Sequence, residues 1–423
     1  MFLNYPIYLI GLLPLALITG PLIPEVILII LSINFLYLTL KNKLYYYFNN
    51  YYFLIFIIFC LYITLNSLFT DEVLISLKSS FFYFRYGIYI LAIFYFIEKN
   101  DKSTSICYWL YTCTLLILII DSFVQIFFGA NLLGQIPPSK ALNRISSFFG
   151  DELILGSFLQ KIMPVYIFLF FKKFKDHEFS LNLNLIFLAI ISVVIFRSGD
   201  RSAFGLFIIF LTTFFLIQHT LRKKILMLLF ILVIGSSSLI FQNNTVYDRY
   251  FKQTFGQLVG QHYEKYSKEG QLYIFSFAHQ AHYKTATNMF LAKPIFGHGN
   301  KMFGYKCGKY EIDYILEDNI KNSFGCSTHP HNTYLQLLAE NGIIGFLFVF
   351  SVFLIVLKFL IKDFKNSSIS EANLSNILLI GIFVNLWPII PTGNFFNNWL
   401  SILYILPISY YLNEKKILKN KSF

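Results

Sequence analysis

Charge is scarce in this chain. Only 13% of its 423 residues are Asp, Glu, Lys or Arg, while 56% are hydrophobic and 19% aromatic. That is too little polar surface to coat a soluble globule of this length, so the sequence reads as an integral membrane protein. Cysteine is scarce too. The five cysteines form no Cys-x-x-Cys pair, and no His-Glu-x-x-His run is present, so the usual zinc frameworks are missing. No basic stripe is interleaved with stacking aromatics, which argues against a nucleic-acid partner despite the formal net charge of +12. The opening "MFLNYPIYLI" lacks a basic n-region and no small-residue cleavage site follows it, so the first helix is expected to be retained. Internal repeats are absent, as is low complexity beyond the richness in Phe and Tyr.

What is present is a series of long apolar runs. Twelve are predicted to be helices, at about 6–20, 24–40, 51–69, 79–97, 106–128, 152–171, 182–197, 202–218, 224–241, 333–361, 374–390 and 397–412. Each approaches the length that crosses roughly 30 Å of hydrocarbon at about 1.5 Å per residue. Basic residues set the orientation. With a cytoplasmic N-terminus, the inside connections hold Lys41, Lys43, Lys99, Lys102, Lys172, Lys173, Lys175, Arg222, Lys223, Lys224, Lys358, Lys362, Lys365, Lys415, Lys416, Lys419 and Lys421. These are half of the 34 lysines and arginines. The short outside turns near Gly20, Asp71 and Thr392 carry almost none, so the net charge is mainly a topology signal and both termini are expected inside.

One connection is long. Residues 242–332 contain no spanning segment, and this topology places them outside the cytoplasm; a loop of that length should be a small domain with its own helices. The chain therefore divides into 1–241 with nine membrane helices, the loop domain 242–332, and 333–423 with three more helices and a tail. Helical spacing runs from Leu272 to Leu291 and stops at Pro294 and Gly297, predicting a helix that lies on the membrane surface. Cys60, Cys107 and Cys113 fall within spans, as packed small hydrophobes. Cys307 and Cys326 share the loop, where an oxidising compartment makes a disulfide between them plausible.

Polar groups at the membrane edge carry the functional signal. "IFRSGDRSAFGLF" puts Arg197, Asp200 and Arg201 in a tight outside turn, where ionisable groups are costly. Both arginines snorkelling, or pairing with Asp200, is the plain reading. Other outside turns avoid arginine, however, and the guanidinium fork suits phosphate oxygens. Six of the eight histidines lie in the long loop: His262, His279, His282, His298, His329 and His331. For His262 and His298 a packing role is preferred. The His329/His331 and His279/His282 spacings admit a metal only weakly, whereas a histidine at a helix mouth suits proton transfer near neutral pH. "RISSFFGDELILG" adds Arg144, Asp151 and Glu152 at another outside mouth. Acids there favour a helix N-terminus, and they also suit sugar hydroxyls.

These motifs resemble those of the O-antigen ligase and O-antigen polymerase family. "HPHNTYLQLLAENGIIGF" is similar to the signature in which a His-Asn pair opens a spanning helix after the large periplasmic loop. "SGDRSAF" resembles the family's Ser/Thr-Gly-x-Arg turn, "KPIFGHG" its Pro-x-x-Gly-x-Gly element, and "PTGNFFNNW" its last outside turn. The resemblance implies an all-α polytopic membrane protein, a glycosyltransferase of the GT-C type with about twelve membrane helices and one large helical periplasmic loop between the ninth and tenth, in the bacterial inner membrane with its active site facing the periplasm. It implies transfer of a glycan from undecaprenyl diphosphate to an acceptor hydroxyl on the lipid A core or on a second lipid-linked glycan, without cofactor or metal and with inversion at the anomeric carbon. On this resemblance Arg201 holds the diphosphate with Arg197 as support, and His331 is the base beside Asn332 and His329. The chain departs from the family at one point. A second arginine is often found about fifteen residues before the proline of the loop element, where this chain has His279, with Lys284 nearby. Asp151 and Glu152 remain candidates for the acceptor sugar. A flippase or other transporter of lipid-linked glycans is the alternative from another class; it would be expected to place polar groups near the midplane, where only Arg85 stands out.

Overall fold

The structure is a computed structural model that describes residues 5–138, 144–174, 177–242, 244–259, 274–311, 313–315, 321–366 and 373–416. Helices occupy every predicted apolar segment. They are α1 (Tyr5–Ile18), α2 (Leu22–Asn42), α3 (Tyr51–Leu68), α4 (Val73–Ser80), α5 (Arg85–Glu98), α6 (Ser103–Phe128), α7 (Leu155–Phe174), α8 (Glu178–Arg197), α9 (Arg201–Ile217) and α10 (Arg222–Gln242). The chain continues through the short α11 (Asn244–Tyr247) and α12 (Gln253–Val259) to α13 (Phe277–Ala292), α14 (Phe303–Lys306), α15 (Thr333–Asn366), α16 (Ser375–Asn385) and α17 (Asn398–Glu414). Seven helical stretches among the described residues are long and apolar enough to cross a membrane: α2, α3, Val73–Glu98, α6, α7, α8 and α15; α1, α9 and α16 are shorter apolar helices. One short antiparallel pair, β1 (Asp313–Ile315) with β2 (Lys321–Ser323), lies in the loop region.

Burial separates the centre of the bundle from its rim. α16 is buried along its whole length and α7 along nearly all of it. On α2 and α3 large apolar side chains such as Ile33, Leu54, Ile58 and Leu61 stay exposed, which suits a hydrocarbon solvent rather than water. Several helix mouths are capped by side chains: Asn50 accepts from Phe53 N at 2.9 Å, Asp200 from Ala203 N at 3.1 Å and Asn397 from Leu400 N at 3.2 Å. Each cap satisfies one of the donors a helix start leaves open.

The predicted span over 333–361 is not a straight helix. α15 breaks at Gly342, whose φ of 62° and ψ of −165° interrupt the ladder. A side chain there would meet the Ile295 carbonyl oxygen at 2.2 Å, so the position requires glycine. The freed backbone groups are taken up by the segment from Pro294 to Gly299. Ile343 N donates to Pro294 O at 2.8 Å, His298 N to Ala339 O at 3.0 Å and Gly299 N to Glu340 O at 2.7 Å. From α3, the Tyr62 hydroxyl donates to Asn341 O at 2.6 Å, and Asn66 Nδ2 to Phe296 O at 2.9 Å. Left unmade, such buried bonds would cost about 1–3 kcal/mol each, which explains why the break and the "KPIFGHG" turn occur together. Gly297 sits so close that a Cβ would lie 2.5 Å from the Glu340 carbonyl carbon.

The loop helix is seated differently from the surface-lying helix expected. α13 spans Phe277–Ala292 and packs against α15. Ala286 and Met289 join Phe303, Cys307 and Ala339 in a small apolar core of their own, so much of its apolar side is covered by protein. Cys307 and Cys326 are joined in a disulfide with Cα atoms 5.3 Å apart.

Candidate active site

Three guanidinium groups converge on the turn between α8 and α9. Gly199 takes φ 69°, and a Cβ there would meet Arg144 Cγ at 2.9 Å and Arg249 Cδ at 3.3 Å, so the bare backbone lets two arginines approach together. Arg144 Nε donates to Ser198 O at 3.1 Å and its Nη2 to Leu153 O at 3.1 Å. Arg249 Nε donates to Gly199 O at 2.6 Å. Arg201, the first residue of α9, donates from Nη1 to Thr254 Oγ1 at 2.9 Å and to Gln257 Oε1 at 3.3 Å. Next to Arg249, the Tyr250 ring stacks on Phe196 at 4.4 Å and its hydroxyl donates to Phe196 O at 2.8 Å. Arg197 is buried at the end of α8.

Electrostatics mark this turn as a concentration of positive charge. Burial depresses the Arg144 pKa, and the charge of Arg249 depresses it further, with Asp200 opposing. The Arg249 pKa is likewise held down by burial, against Tyr250 and Asp200. Asp200, which caps α9 through Ala203 N, is the carboxylate that acts on both Arg144 and Arg249. Such a turn favours an anion with several oxygens.

Four histidines form the second cluster. His279 and His282 come from α13, while His329 and His331 come from the mouth of α15. The His331 ring lies 4.1 Å from His329, 5.3 Å from His279 and 5.5 Å from His282, between centroids. His331 adopts φ 55°, rare for a residue with a side chain. Its carbonyl is held by Thr392 N at 2.9 Å and by the Tyr283 hydroxyl at 3.4 Å. Asn332 accepts from Tyr334 N and Leu335 N at 3.0 and 3.1 Å, and donates to Pro388 O at 2.9 Å. It therefore caps α15 and ties the mouth to the chain beyond α16. His279 Nδ1 pairs with Ser276 Oγ at 2.9 Å and His329 Nδ1 with Thr328 Oγ1 at 3.0 Å.

Burial, more than crowding, keeps these imidazoles neutral. Burial, then the neighbouring His282, lowers the pKa of His331 to about 4. Burial lowers His329 to about 3, with His331, His282 and His279 adding to it. His279 falls to about 4 through burial, His331, His282 and finally Arg201, which brings the arginine turn within electrostatic reach of the histidines. Burial also lowers His282. At neutral pH the cluster is thus a set of uncharged proton acceptors beside fixed cations.

The predicted residues fall in three groups. His279, His329, His331 and Asn332 gather at the mouth of α15, and Arg201 with Arg197 stands at the α8–α9 turn. Lys284 is exposed on α13, whereas His282 on the same helix is buried. Asp151 and Glu152 are exposed in the turn before α7, whose Leu153 carbonyl receives Arg144. Sequence reasoning missed Arg249, which sits in "DRYFK" with no motif to mark it, and gave no role to Arg144 or His282. His298 is buried, with Nε2 2.9 Å from Met289 O, in keeping with a packing role. His262 lies outside the described residues. Among the described residues no group of three or more His, Cys, Asp or Glu is arranged to hold a metal ion.

A family model described as O-antigen ligase matches residues 186–350. This segment runs from within α8 to beyond the break in α15, and it contains Arg197, Arg201, Arg249 and all four clustered histidines. The family resemblance carried by the motifs is therefore borne out. No curated protein and no solved structure matches the chain.

Proposed function

We propose that this multi-pass membrane protein, with its O-antigen ligase-family domain over residues 186–350, is a glycosyltransferase that moves a glycan from undecaprenyl diphosphate to an acceptor hydroxyl at the outer face of the bacterial inner membrane. The observation that carries this reading is the neighbourhood of two groups: a cationic turn of Arg144, Arg201 and Arg249, and a cluster of neutral histidines around His331. A transferase of this kind needs both. As the bond between the anomeric carbon and the diphosphate oxygen breaks, the electron pair leaves with the diphosphate, whose growing charge the preorganised guanidiniums meet without reorganisation. As the acceptor oxygen bonds to the opposite face of that carbon, its proton passes to His331, which burial keeps neutral in the resting state. Opposite-face attack inverts the anomeric centre. Metal independence is part of the proposal.

The twelve-helix topology with both termini inside, the division at 242–332 and the periplasmic orientation belong to the same proposal. In place of the loop arginine expected from the family, Arg249 supplies the additional diphosphate contact, a task better suited to its fixed fork than to His279 or Lys284. The lipid A core is the proposed acceptor, and joining to a second lipid-linked repeat uses the same chemistry. A transporter is disfavoured because the arginines and histidines gather at the α8–α9 turn and the mouth of α15, and Arg85, the residue the sequence offered for a transport path, is held by Glu25 at 2.5 Å and Asn398 at 3.0 Å. Deleting the gene and resolving the host's surface glycolipids tests the reading. Polymer kept on the lipid carrier but absent from the core indicates a ligase, and core bearing single repeats indicates a polymerase. Accumulation of repeats on the cytoplasmic face would overturn both.

A further inference from the structure

A cavity lined by none of the arginines of the α8–α9 turn and none of the clustered histidines has a volume of about 610 Å³, within the range of small-molecule sites. Its wall joins Pro21, Lys78, Lys301 and the turn bearing Asn394, Asn397 and Asn398. The three asparagines have their carbonyl oxygens engaged. Asn394 Oδ1 accepts from Gln336 Nε2 at 2.8 Å and Phe396 N at 2.9 Å, and Asn397 Oδ1 from Leu400 N at 3.2 Å. Asn398 Oδ1 accepts from Arg85 Nη2 and the Tyr86 hydroxyl, both at 3.0 Å. Each amide is thereby oriented with its NH2 as the group to offer. Arg85 is spent on Glu25, Phe82 O, Tyr86 and Asn398, so it braces the wall. The other cations on the wall are the exposed Lys78 and Lys301.

The cavity therefore reads a ligand mainly with donors: two ammonium groups and three amides, with the Ser79 hydroxyl beside them. Such a ligand must be rich in acceptor oxygens and negatively charged. Phe82, Tyr86 and Phe396 add ring faces. Tyr83 and Tyr86 also line an apolar cavity of about 180 Å³ among Phe59, Phe348 and Ile405, so a polar and an apolar space share a wall, as an amphiphile requires. Lys301 is held in a strained backbone state, φ 65°, by the Glu340 carboxylate, which takes the Lys301 backbone amide and, at 3.1 Å, Phe303 N. Strain of this kind in a non-glycine residue points to a placed side chain. The turn that supplies the asparagines also bonds His331 O through Thr392 N, so one connection borders both sites.

We propose that this cavity binds the anionic saccharide head of a membrane glycolipid, with Lys78 and Lys301 meeting its phosphate or carboxylate and the three asparagine amides meeting its oxygens. Its use as the acceptor site rests on the transferase reading; the binding does not.

The test uses the full chain in detergent and follows acylation of Lys78 and Lys301 by mass spectrometry. The probes are a glucosamine disaccharide bisphosphate, the same disaccharide without phosphate, inorganic phosphate, and dihexanoyl phosphatidylglycerol. The bisphosphate is expected to slow acylation of both lysines about tenfold, and the other probes much less. Equal protection by inorganic phosphate or phosphatidylglycerol would overturn the saccharide assignment, and no protection by the bisphosphate would overturn the site. Lys301→Gly keeps the backbone state and removes the amine, so it is expected to fold, to lose protection at Lys78, and to raise the acceptor KM while leaving kcat and the donor KM unchanged. Unchanged protection at Lys78 in this variant would contradict the pairing. Protection without any transfer in the unaltered protein would sink the transferase reading and leave the site standing.

Discussion

His279 and His331 come from separate elements, a loop helix and the mouth of a kinked membrane helix, yet their rings stand 5.3 Å apart. Burial, with His331 and His282 around His279 and with His282 beside His331, leaves both rings unprotonated in the resting state. Whichever ring takes the first proton raises the cost of the next.

The pH profile follows from that geometry. The pKa of His331 lies at about 4, below the ordinary imidazole value of 6.5, so the base stays neutral as pH falls through 6. The acid limb of kcat/KM, which reports the free enzyme, is expected well below 6.5. Stability follows the same sign. The unfolded chain binds protons at these histidines below about pH 6.5 and the folded chain does not, so their contribution is complete above that value and declines as pH falls toward 4. Transfer rates and thermal midpoints measured between pH 4 and 8 check both statements. An acid limb at 6.5 would show that the base is not a histidine of this cluster.

Removing one guanidinium from the turn is expected to lower kcat by about 10²–10³-fold. Arg201→Ala and Arg249→Ala should both show it, with protein levels unchanged in the membrane. Arg201→Lys keeps the charge and loses the fork, so it should recover only part of the rate. Transfer by purified variants at saturating donor and acceptor measures this, and unaltered kcat in Arg249→Ala would remove that residue from the diphosphate site.

Gly342→Ala should be disruptive for backbone reasons alone. Its φ of 62° and the 2.2 Å approach to the Ile295 carbonyl oxygen predict a loss of at least about 1–3 kcal/mol. The thermal midpoint in detergent is expected to fall, together with transfer, because the break seats the "KPIFGHG" turn against the segment behind His331. A variant as stable as the parent would mean that the break is not fixed by this packing.

The Cys307–Cys326 disulfide closes the small core beneath α13. Cys307→Ser and Cys326→Ser should each destabilise the protein by about 2–4 kcal/mol, and the double variant by no more than the single ones. Unfolding followed with and without a reductant checks this; additive losses in the double variant would argue against the pairing.

Much of this was legible in the sequence, because hydrophobic run length maps directly onto helices when the surroundings are apolar. The twelve predicted segments all contain helix, and "STHPHN" and "SGDRS" mark the two clusters. The break at Gly342 was hidden inside an apolar run, since its partners are backbone groups from Pro294 to Gly299. Arg249 was hidden because only the folded turn brings it to Gly199. The burial of α13 was missed for a related reason: Ala286 and Met289 look the same facing lipid or facing Ala339.

The central claim is that His331 takes the acceptor's proton while the arginine turn holds the diphosphate. The most direct measurement is transfer by purified His331→Ala from an undecaprenyl-diphosphate-linked glycan, alongside binding of the same donor. The account predicts that product formation is lost while donor affinity is retained. Product formed at the parent rate would contradict it.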